Sequence, residues 1–121
     1  MEINKRDELV ERLLNFTVRI IKLFNALPKT DVGKHLKGQL LRSGTSPGAN
    51  YEEACGAESR ADFIHKLGIV LKELKESRYW LRVISYSDML TPKQIDSLIY
   101  ECEELCAIIA KSILTARKNK L

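Results

Sequence analysis

Two glutamates, Glu73 and Glu76, stand three residues apart in the stretch KELKESRYWL. That spacing places both carboxylates on one face of a helix. A carboxylate pair can do general acid–base work when burial drives its proton affinities apart, and it can hold a metal in a bundle core. The Glu-x-x-His motif of di-iron bundles is absent, and Lys72, Lys75 and Arg78 lie close enough along the helix to neutralise the acids. The pair therefore reads as structural ion pairing. Three cysteines make an odd count with no zinc or redox spacing. Cys102 and Cys106 fall at phases where Leu and Ile recur, as small buried hydrophobes do. His35 and His65 are isolated, so no metal site and no cofactor is implied. No nucleophile–base pair and no glycine-rich phosphate loop is present, which argues against an enzyme.

The other chemistry within reach is phosphate binding. The net charge is +4, and its distribution is uneven. Lys29, Lys34, Lys37 and Arg42 face only Asp31 between Pro28 and Pro47, and Arg117, Lys118 and Lys120 close the chain without an acid. Of these, Lys34, Lys37, Arg42, Arg117, Lys118 and Lys120, together with Arg60, are the candidates for contacts to RNA or DNA, of the salt-dependent and sequence-tolerant kind.

Four helical segments must position these groups. Leu9, Leu13, Phe16, Ile20, Leu23 or Phe24, and Leu27 recur at three–four spacing from Lys5 to Leu27, where Pro28 ends the segment. A second helix opens at the Thr30 cap and carries Val32, Leu36 and Leu40. A third follows the Ser59 cap with Phe63, Leu67, Val70, Leu74, Leu81 and Ile84, and fades between Ser85 and Asp88. The fourth begins at TPKQ, with Thr91 as cap, Pro92 in the first position and Gln94 completing a capping box. Ile95, Leu98, Cys102, Leu105, Ile109 and Ile113 continue its seam. At 121 residues this is one all-α domain, an antiparallel up-down-up-down four-helix bundle. No segment is long and apolar enough to span a bilayer and no signal-peptide core is present, so a cytoplasmic protein is expected.

Two features exceed a plain bundle. The middle of the second helix, QLLRSGTSPGANYEEACGA, is small and polar. It reads either as a loop or as helix kinked near Pro47; the phase before the proline continues in register after it, which favours the kinked helix. Gln39, Ser43, Ser46, Asn50 and Glu53 then form a polar stripe beside the core, whose buried members need partners on the third helix, among them Glu73 and Glu76. That third helix carries a second heptad seam, Ile69, Glu73, Glu76, Trp80 and Val83. Two seams imply burial on two sides, so Ile69, Tyr79, Trp80 and Val83 are expected to contact another copy of the chain.

Across nearly its full length the chain resembles the bacterial family of proteins encoded in intervening sequences of 23S ribosomal RNA genes, also labelled S23 ribosomal proteins. The resemblance rests on Gln39, Arg42 and Ser43, on Ser46, Asn50 and Glu53, and on the Lys72–Leu81 run. It implies a polar core motif on the second and third helices and a ring-shaped homopentamer. Members look similar to the accessory protein of diversity-generating retroelements, a basic pentameric barrel that binds nucleic acid. The expected function is a non-enzymatic homo-oligomeric bundle that binds structured RNA or DNA; the alternative is a ring that scaffolds a protein partner without binding nucleic acid.

Overall fold

The structure, a computed structural model, describes residues 4–119. Each helix begins where a side chain can satisfy backbone N–H groups that the first turn leaves free. Helix α1 (Lys5–Ala26) starts at Asn4, whose Oδ1 accepts from the Asp7 amide at 2.9 Å. It stops because Leu27, held extended before Pro28, cannot continue it. Helix α2 (Asp31–Cys55) starts at Thr30, whose hydroxyl accepts from Gly33 N at 3.0 Å. Ser59 opens α3 (Arg60–Tyr86) in the same way, accepting from Asp62 N at 3.0 Å. Asp88, in the left-handed region with φ of 56°, lies in the turn that follows α3. Helix α4 (Pro92–Lys118) opens on the expected capping box, with Thr91 N donating to Gln94 Oε1 at 2.9 Å.

The four helices pack in a closed square. Helix α1 lies beside α2 and α4, and α3 beside α2 and α4, while the backbones of the diagonal pairs stay apart among the described residues. Short connections and this adjacency give the up-down-up-down bundle. The N-termini of α1 and α3 therefore share one end with the C-termini of α2 and α4. A single core fills the centre, with Phe16 and Ile20, Leu40, Leu67 and Leu74, and Ile95 and Leu105 contributed by successive helices and fully buried. Each such side chain contributes about 1.5–3 kcal/mol by leaving water. At the α1–α4 edge, Arg12 binds Glu101 through two parallel hydrogen bonds of 3.1 and 2.6 Å.

The small, polar middle of α2 is helix, not loop: α2 runs unbroken through Pro47, which is buried. Its small residues serve two neighbours. Gly44 faces α1, where an added Cβ would lie 2.8 Å from atoms of Ile20, so its absence lets the two helices close up. Ser43 faces α3 and is fully buried, as is Ser77. Their hydroxyl oxygens lie 3.1 Å apart, and each also reaches a carbonyl of its own helix, Leu40 O at 3.5 Å and Glu73 O at 2.9 Å. Two neutral hydroxyls thus satisfy each other where α2 and α3 approach.

Candidate nucleic-acid interface

The α2–α3 seam decides which cations are available. Arg42 reaches across from α2, with Nη1 3.2 Å from Glu73 Oε2 and Nη2 hydrogen-bonded to Glu76 Oε2. Glu76 Oε2 also accepts from Trp80 Nε1 at 3.0 Å. The guanidinium fork suits this because it can serve two carboxylates at once. So the neutralising partner of the carboxylate pair is Arg42. Lys72, Lys75 and Arg78 form no ion pair among the described residues. The Arg42 guanidinium is thereby engaged within the chain, and both glutamates are ion-paired across the α2–α3 seam.

The rest of the polar stripe behaves differently. Only Ser43 is buried; Gln39 and Asn50 are half-buried and Glu53 is exposed. None of these three bonds to α3 through its side chain among the described residues, because their phase swings them off the shared seam towards solvent. Ser46 lies between the two cases, and its buried hydroxyl oxygen has no hydrogen-bond partner among the described residues.

The second seam of α3 is largely taken up within the chain. Its glutamates face Arg42, and Trp80 packs half-buried against the core, edge-on to His35 of α2 at 6.4 Å and to Tyr79 at 5.1 Å. Val83 also packs against the core, and Ile69 is half-buried. A helix in a four-helix square has two neighbours, so two seams need no second copy. Of the expected subunit-contact residues, only Tyr79 is freely exposed, at 59%.

The remaining nominated cations do not converge. Lys34 is exposed and Lys37 lies half-buried with Nζ 4.5 Å from the Phe24 ring centroid, both near the start of α2. Arg60, Arg117 and Lys118 are exposed at the opposite end of the bundle. Lys120 lies outside the described residues.

What sequence reasoning missed is a third stripe on α3. Ala61, His65, Gly68, Lys72, Lys75, Tyr79, Arg82 and Tyr86 follow one another at strict four–three spacing, and all are exposed. The stripe contains no acid, because the helix turns Glu73 and Glu76 towards α2. From Lys72 to Tyr86 it carries three cations and two tyrosines over about 21 Å of helix axis. The Arg82 guanidinium carbon sits 5.7 Å from the Tyr86 ring centroid, a cation–π contact that holds both side chains outward. The signal was legible as a heptad of non-acidic residues, but it carries little apolar content, so a search for hydrophobic stripes passes over it.

Chemistry of other kinds finds little support here. Cys102 and Cys106 are buried, and Cys102 Sγ lies 3.2 Å from Leu74 O. The neighbouring Cys106 thiol, together with burial, pushes Cys102 up, and the same interaction draws Cys106 down, with Arg78 and Lys75 adding to it. Among the described residues no three His, Cys, Asp or Glu side chains stand together to hold a metal, and no helix is long and apolar enough to cross a membrane.

Fold and surface together define a closed antiparallel four-helix bundle with an acid-free basic and aromatic face on its third helix. The family described as 23S rRNA-intervening sequence protein matches residues 5–111, and this chain belongs to it. Among solved structures, a protein of unknown function from the S23 ribosomal protein family of Bacteroides thetaiotaomicron is similar, with a TM-score of 0.81 at 39% identity. The match covers 87% of this chain and 97% of that one. Comparison with functionally curated proteins finds no match.

Proposed function

We propose that this protein is a non-enzymatic, homo-oligomeric helical bundle that binds structured RNA or DNA through the outward face of α3. The observation that carries the reading is the exposed stripe of Lys72, Lys75, Tyr79, Arg82 and Tyr86, from which every acid is absent. Cations spaced along a rigid helix suit a run of phosphates, whose neutralisation releases counterions. Exposed tyrosine rings between them offer faces to unpaired bases in loops or bulges. Arg60, Arg117 and Lys118 add exposed positive charge at the end of the bundle where α3 begins and α4 finishes. Self-association rests on separate residues, Leu14, Val18 and Ile21 of α1, and the five-membered ring implied by family resemblance is the size expected.

The test is binding to a hairpin RNA and a duplex DNA across a salt series. Affinity should fall steeply with salt, and Lys72→Glu with Lys75→Glu should lower it at every salt concentration. Each lysine removed should flatten the log–log slope by about 1. Tyr79→Ala should weaken the hairpin more than the duplex. Absence of binding at low salt would retire the nucleic-acid reading and leave the protein-scaffold alternative.

A further inference from the structure

At the end of the bundle where α1 and α3 begin lies an open cavity of about 820 Å³. Its floor is apolar: Leu9 and Ala54 are buried there, while Phe63 and Ile108 remain half-buried. Phe63 continues a seam whose next member, Leu67, is fully buried, so this residue of the core stripe is left facing the cavity. The rim is cationic. Lys5, Arg6, Arg60 and Lys111 line it, none in an ion pair among the described residues. Arg12 also lines it, but its charge is met by Glu101 and Glu104. Glu8 is the single acid against those four cations. Tyr51 adds a phenol that burial, with Cys55 beside it, keeps protonated up to about 12, so it stays a neutral donor.

We propose that this cavity binds a small amphipathic organic carboxylate, its aliphatic or aromatic body on the apolar floor and its carboxylate among the rim cations. The volume falls within the range of small-molecule sites, and a few convergent polar groups above an apolar floor are what such sites present. A phosphodiester chain would not use the floor, and a neutral apolar molecule would not use the rim. The complementarity is to both features in one molecule. The site shares no residue with the Lys72–Tyr86 stripe, and of its four free rim cations only Arg60 is also a candidate phosphate contact, so Lys111→Glu tests the cavity independently of the nucleic-acid reading.

The experiment uses the full chain, with decanoate as the probe, decanol as its uncharged counterpart, and backbone-amide NMR to locate binding. Decanoate should saturate one site, with shifts centred on Tyr51, Phe63 and Ile108, and should bind at least about tenfold more tightly than decanol, a difference of about 1.4 kcal/mol. Arg60→Glu and Lys111→Glu, both at exposed positions, should each weaken decanoate several-fold and leave decanol unchanged. Ala54→Trp, which fills the floor, should abolish both. Equal affinity for decanoate and decanol, indifference to the rim reversals, or shifts centred on Leu14 to Ile21 would each overturn the proposal. If Ala54→Trp fails to fold by circular dichroism, the two rim variants decide the matter.

Discussion

At the scale of single residues, Arg42 shows how position outranks type. It is an exposed cation in a basic stretch, yet two glutamates on the adjoining helix hold its guanidinium in place. Glu73 and Glu76 are more enclosed than their partner, so removing the cation leaves two neighbouring carboxylates facing each other. Arg42→Ala should therefore destabilise the fold by about 1 kcal/mol, discounted for a guanidinium that is half exposed. The loss should shrink as salt rises, since screened charges repel less. Arg42→Lys should recover only part, because one ammonium cannot span two carboxylates as a fork does. Urea midpoints of the three proteins at low and high salt would show this. An unchanged midpoint with a large loss of nucleic-acid affinity would instead return Arg42 to the phosphate surface.

At the scale of helices, the glycines of α2 separate space that is needed from space that is idle. Gly44 touches Ile20, a branched side chain fully buried and hemmed in by the core. Gly44→Ala should push α1 and α2 apart and cost about 1–3 kcal/mol. Gly38, on the exposed side of the same helix, has nothing within 4 Å of an added Cβ. Gly38→Ala should stabilise by about 0.5–1 kcal/mol, because alanine gives up less backbone freedom in a helix. Thermal melts of both variants check the contrast; two shifts of the same sign would mean that the close approach at Gly44 is not obligatory. The bundle itself was legible in the sequence because apolar residues keep the helical period and the cap residues Thr30, Ser59, Thr91 and Pro92 mark the starts. Which neighbour each face of α3 meets was not, since periodicity gives the angle of a stripe about its own axis and nothing of what stands opposite. That is why Trp80 read as a subunit contact although α2 covers much of it, and why Asn50 and Glu53 read as buried.

At the scale of the whole molecule, the bundle leaves one apolar strip with no intramolecular cover. Leu14, Val18 and Ile21 of α1 are 53%, 41% and 42% exposed at four–three spacing, on the face opposite its buried stripe. Scattered exposed apolar residues are ordinary, but three in register form a ridge of the kind that marks contacts between chains. Helix α1 lies diagonally across the square from α3, so copies joined through this ridge would keep the Lys72–Tyr86 face on the far side. Assembly and nucleic-acid binding then use opposite surfaces, and symmetry multiplies the basic face without burying it. Light scattering should give the wild type a mass several times 13.8 kDa. Val18→Glu combined with Ile21→Glu should bring it down towards a single chain while circular dichroism stays helical. Nucleic-acid affinity should fall with it, since one stripe must then act alone. A wild-type mass of one chain would end the oligomer reading. A multiple that survives both substitutions would move the contact off α1, with Tyr79 the next residue to test.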